Sequence, residues 1–130
     1  MKDLEPTINP RLYQNKKPFA AETVYEVTTA GDGLPFGIAI ADIEQSQPHV
    51  HRVTTETYTV VQGSIELALD DDRIAMHVGE VALIRPGVVH SARSIGDDHA
   101  ARITVTTIPE FSPDDYFPVN VSGAVGKEQR

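Results

Sequence analysis

The stretch Pro48-His49-Val50-His51-Arg52-Val53-Thr54-Thr55-Glu56 sets two histidines one residue apart and follows them with a glutamate. In an extended strand the side chains at i and i+2 share a face, so His49 and His51 aim into one space. Glu56 lies at an odd offset from His51 and would point away if the strand ran straight on. The chain is therefore expected to turn through Arg52 to Thr55, with Glu56 opening the next strand and facing back. Further on, Arg85-Pro86-Gly87-Val88-Val89-His90 brings a third histidine to the head of a strand, just after a Pro-Gly turn. Three imidazoles and a carboxylate carried on short strands suit a divalent metal ion, as nitrogen and oxygen ligands of intermediate softness.

Outward from this stretch, the chain is a series of short alternating runs separated by turn residues. Thr23 to Thr29 alternates and stops at Ala30-Gly31-Asp32-Gly33, and Phe36 to Ile43 is apolar on both parities. Thr57 to Gln62 is β-branched and aromatic and closes at Gly63. Ile65, Leu67 and Leu69 share one face of the next run, Asp70-Asp71-Asp72 turns the chain, and Ile74, Met76 and Val78 share a face of the run after it. Val81 to Ile84, Val88 to Ala92 and Ala101 to Ile108 complete the pattern. So many short strands, with almost no helical periodicity, predict an all-β sandwich or barrel. Residues 1–20, punctuated by Pro6, Pro10 and Pro18, read as an extended arm, residues 21–118 as the barrel and residues 119–130 as a flexible tail. Ser112-Pro113-Asp114-Asp115 carries the signature of a short helical turn: a serine cap, a proline in the first turn and acids at the positive end of the dipole.

The 130 residues are enough for one domain with a real core. With no cysteine, disulfides and thiolate metal sites are excluded. The net charge of −8 disfavours nucleic acid or an anionic membrane as partner. No apolar run reaches membrane-spanning length and no apolar leader is visible, so a cytoplasmic location is expected.

The residues His49-x-His51-x4-Glu56-x6-Gly63, followed by Gly79, Pro86, Gly87 and His90, resemble the two motifs of the cupin superfamily, in its small single-domain form. That resemblance implies a double-stranded β-helix, or jelly-roll, barrel with one divalent transition metal inside it, bound by His49, His51, Glu56 and His90. Ile43, Arg85 and Ser94 stand where the family usually has glycine, proline and asparagine, and none of these departures removes a ligand. The ligand set accommodates Mn, Fe, Ni, Co, Cu or Zn. Small cupins commonly pair, so a homodimer is expected, with the N-terminal arm as one means of pairing.

Four ligands leave two adjacent positions of an octahedral ion free for a bidentate oxygen ligand. The expectation is a metal-dependent enzyme, of isomerase, epimerase or lyase type, acting on a small oxygenated anionic metabolite such as a sugar or keto acid. A non-haem iron dioxygenase, or a non-enzymatic cupin that binds metal or a small ligand, are the alternatives. Tyr58 shares strand parity with Glu56 and is the candidate catalytic residue, against its simpler role as a core aromatic. Arg102 is expected to face outward opposite an apolar stripe, His77 to face away from the core, and His99 to lie in a polar loop. No second cluster of acid and base residues is visible in the sequence.

Overall fold

The computed structural model describes residues 21–96 and 100–120 in full, and residues 16–19 by their backbone. The expected flexible tail beyond Asn120, the loop position of His99 and most of the expected arm lie outside the described residues.

Among the described residues eleven strands follow one another: β1 (Lys16–Phe19), β2 (Glu22–Glu26), β3 (Gly37–Ile43), β4 (His49–Val50), β5 (Thr55–Gln62), β6 (Ile65–Leu69), β7 (Asp72–Met76), β8 (Val81–Ile84), β9 (His90–Ser94), β10 (Ala101–Ile108) and β11 (Phe117–Pro118). They form two antiparallel sheets, ordered β1-β2-β3-β10-β5-β8 and β11-β4-β9-β6-β7. This is the all-β architecture expected from the turn spacing, in the jelly-roll form that the cupin resemblance implies. Among the described residues its two sheets face each other without a hydrogen-bonded seam closing the barrel. The short turn expected at Ser112 is a 3-10 turn over Pro113–Asp115, with the Ser112 hydroxyl accepting from the Asp114 amide.

Alternation decides what lies between the sheets. On β5, Glu56, Tyr58 and Val60 point inward; on β6, Ile65 and Leu67 do the same. They meet Ala41, Ile43, Ile84, Ala92, Ala101 and Ile103 in one continuous core. Gly37 on β3 is buried where β3 approaches β10: a Cβ there would come to 2.5 Å from the Thr107 hydroxyl, and Thr107 is in turn the register partner of Glu56. Only glycine fits that approach.

The expectation for β7 needs correcting. Met76 is buried, but Ile74 is 45% exposed and Val78 62% exposed. β7 is the last strand of its sheet, so its inward face has neighbours on one side only. Alternation gives the face of a strand; sheet order decides whether anything covers that face. Among the described residues no helix is long and apolar enough to cross a membrane.

Candidate metal centre

The chain leaves β3 at Ile43 and crosses to the other sheet through a corner pinned by Ser46. The Ser46 amide donates to the Ala92 carbonyl and the Ser46 hydroxyl accepts from the Ala92 amide, both at 2.8 Å. This seats His49 on β4 directly opposite His90 on β9. Two residues later, the His51 carbonyl accepts from the Gly87 amide at 2.7 Å, which ties the histidine strand to the Pro-Gly turn ahead of His90. The chain then reverses over residues 52–54 and Glu56 enters β5 facing inward, as its odd offset predicts.

His49, His51, Glu56 and His90 thus converge, all buried, with one ligand atom from each lying within 4.8 Å of the others. Glu56 Oε1 stands 2.9 Å from His90 Nε2 and 3.2 Å from His51 Nε2. Donors about 2.1 Å from a shared ion stand roughly 3 Å apart at adjacent positions and just over 4 Å apart at opposite ones, so the cluster has close to the right dimensions.

The protonation chemistry narrows the reading further. Each histidine Nδ1 faces a backbone carbonyl: Gln47 for His49 at 2.7 Å, Asp115 for His51 at 2.6 Å and Val88 for His90 at 3.0 Å. A carbonyl oxygen can only accept, so every Nδ1 carries its proton. In the neutral ring the three Nε2 lone pairs then turn toward one another and toward a carboxylate, which also only accepts. His51 Nε2 is buried, and the Glu56 carboxylate 3.2 Å away is the group it faces. Acceptors gathered in this way need positive charge among them, either extra protons or a cation. The donor set fits a divalent ion.

Electrostatics in the metal-free protein bear this out. Burial, with His90 beside it, drives the His49 imidazole down to about 4. Burial would also lower His51, but the hydrogen bond and charge of Glu56, with Asp115 behind, raise it instead. Burial would raise the Glu56 carboxyl; hydrogen bonds from His51 and His90 outweigh it and bring Glu56 to about 2. Glu56 thus favours a proton on His51, and a metal would compete with that proton for the same place.

Tyr58 lies beside the cluster as its parity predicts, buried, with its ring edge-on to His90 at 5.9 Å between centroids. Burial first, then the charges of Glu56 and Glu22, push its phenol well above the usual range, so it stays protonated. Arg102 stands on the face opposite Ala101 and Ile103, as its parity predicts, but it is buried there and forks onto Asp42 at 2.6 and 2.8 Å. His77 is exposed beside the Ser64 hydroxyl, away from the ligands.

Three residues join the site that the sequence does not announce. Glu22 on β2 pairs with the core residue Ile43 and shares a face with Val24, which packs on the core. Burial and the nearby Glu56 push its carboxyl up to about 7, with His90 pulling the other way. Tyr116 stacks on His49 with ring centroids 4.7 Å apart. Asp115, expected as an acid at the positive end of a short turn's dipole, is buried against the loop that follows His51. Only the acid-rich turn and the glutamate preceding an alternating run mark these residues in the sequence, and both marks are ordinary for surface positions.

The cupin domain family matches residues 39–107, more than half of the chain. No curated protein matches the chain significantly. Among solved structures, Pac13 from Streptomyces with uridine superposes with a TM-score of 0.70 at 14% identity, covering 81% of this chain and 83% of that one. Another Pac13 structure, described as a unique nucleoside dehydratase, gives 0.69 at 14% identity, covering 82% of this chain and 87% of that one. A sugar phosphate isomerase of the cupin superfamily from Silicibacter pomeroyi gives 0.60 at 22% identity, covering 72% of this chain and 61% of that one. These likenesses bear out the jelly-roll fold, and the family match, over the strands that carry all four converging side chains, establishes that this chain belongs to the cupin family.

Proposed function

We propose that this protein is a divalent-metal cupin enzyme of the isomerase, epimerase or lyase type, acting on a small oxygenated metabolite such as a sugar or keto acid. The observation that carries the reading is the set of three Nε2 lone pairs and one carboxylate facing a common buried point, with every Nδ1 proton already committed to a carbonyl. His49, His51, Glu56 and His90 would hold the ion. When bound, it supplies Lewis acidity toward a substrate carbonyl or hydroxyl oxygen.

The chain's own residues supply the proton chemistry. Tyr58 keeps its phenolic proton in the interior and offers it to a developing oxyanion. Glu22, whose carboxyl stands near 7 in the metal-free protein, is the second candidate to exchange a proton with substrate. Tyr116 and His49 give a stacked aromatic face against which a ring can lie. Two fold neighbours are described as a nucleoside dehydratase and a sugar phosphate isomerase, which supports a small hydroxylated substrate here. We further propose a cytoplasmic homodimer. A monodisperse monomer by light scattering at micromolar concentration would count against the pairing.

The test is metal analysis of the purified protein, followed by turnover assays with sugar, sugar phosphate, nucleoside and keto-acid substrates. A protein with no divalent ion, and none taken up on addition, would refute the reading. Oxygen consumption by an iron-loaded sample would replace it with the dioxygenase alternative.

A further inference from the structure

The loop that joins His51 to Glu56 is not held by its own sheet. Its three successive amides, Arg52, Val53 and Thr54, all donate to one carboxylate, that of Asp115, at 2.7, 3.1 and 2.9 Å, and the Thr54 hydroxyl donates to it at 2.8 Å. The backbone carbonyl of the same residue accepts the His51 Nδ1 proton at 2.6 Å. One aspartate therefore fixes both the loop between two candidate ligands and the tautomer of one of them. Its neighbours extend the contact: Tyr116 stacks on His49, Phe111 stands edge-on to His51 with centroids 6.0 Å apart, and Pro118 of β11 pairs with His49. The Arg52 guanidinium lies 4.0 Å over the Phe117 ring.

We propose that Asp115 is a positioning residue of the metal centre, and that the segment 111–118 is a working part of that centre rather than a trailing connection. The inference rests on the metal-centre reading above. Partners that orient a ligating histidine set both its direction and its basicity. If Asp115 served only to fasten the end of the chain, its bonds would not need to converge on the loop between His51 and Glu56. A carboxylate beside this loop also adds negative potential next to a site that is to accept a cation, whereas a neutral amide of the same shape does not.

The test is titration of the full-length, metal-stripped protein with cobalt(II), followed through its visible absorption bands, which report affinity and coordination geometry together. Asp115→Asn should weaken cobalt binding by about 10- to 100-fold and shift the bands. Thr54→Val, which removes one bond to the carboxylate and touches no ligand, should weaken it by a smaller factor in the same direction. Met76→Ala, a core truncation on β7, should lower thermal stability and leave the cobalt affinity unchanged. That control separates positioning from general stability. Wild-type affinity and bands in Asp115→Asn, or in Thr54→Val should the first variant not fold, would overturn this inference alone. A wild-type protein that takes up no cobalt would overturn the metal-centre reading and this inference with it.

Discussion

The two ends of the sandwich are built on opposite principles. At the β4–β9 end, ionisable and polar side chains (His49, His51, Glu56, His90 and Asp115) are buried and hydrogen-bonded, under a segment that returns from far along the chain. At the β7–β8 end four apolar side chains are left uncovered among exposed polar ones: Ile74, Val78, Val81 and Leu83 stand about half open to solvent or more. The first end spends its burial on groups that resist it, and the second leaves uncovered the groups that would gain from it. A fold optimised for stability alone would do the reverse. The contrast supports the proposed metal centre at the polar end.

The largest effect should come from removing a ligand. His51→Ala should reduce metal affinity by more than about 100-fold, beyond the usual cost of losing an outer partner, and elemental analysis of the purified variant checks it. Undiminished metal content would break the contrast between the two ends. Next in size is the core that both ends share. Leu67→Ala removes a fully buried side chain between the sheets and should cost about 2–5 kcal/mol, measured by denaturant unfolding.

Smaller effects come from titration in the metal-free protein. Asp115 is held at about 2 by the Thr54 hydroxyl and the three loop amides, in spite of a burial effect in the other direction. Glu56 is also held at about 2. A depressed carboxyl gives stability that is present above its unfolded value and lost as pH falls, so unfolding should become easier from about pH 4 down to pH 2. Glu22 has the opposite sign. Its folded value near 7 exceeds its ordinary 4.5, so stability declines as pH rises between those values and is flat above. Glu22→Gln should remove that decline and stabilise the metal-free protein at pH 8 by on the order of 1 kcal/mol, after allowance for solvent screening. A melting-temperature series across pH checks both signs. Smallest of all, Leu83→Thr at the open edge should change stability by less than about 0.5 kcal/mol, and chemical denaturation checks it. A larger loss would show that the exposed end is covered in solution.

Much of this was legible in the sequence, for a physical reason. The four converging side chains follow from alternation along a strand, a reversal over four residues and a Pro-Gly turn, all of which act over short distances. Tyr58 and Arg102 followed from the same parity. Glu22 was not legible, because its place depends on β2 pairing with β3 and so on which face of a distant strand is buried. Asp115 was misread for a similar reason. Its local signals, a cap and a helical turn, were correct, but its side chain serves amides more than 60 positions away. Ile74 and Val78 failed the other way: their alternation was sound, and the sheet ended beside them.

The hydrogen bond between His51 and Asp115 joins residues 64 positions apart. During synthesis, the histidine pair and the glutamate exist long before the residue that orients them has left the ribosome. In small zinc modules, binding of the ion drives folding. Under the proposed metal reading the order is reversed here: β-strands brought together over long loops form slowly, and the docking place is complete only once segment 111–118 has returned to the histidine loop. Capture of the proposed ion would follow assembly of the strands and not drive it.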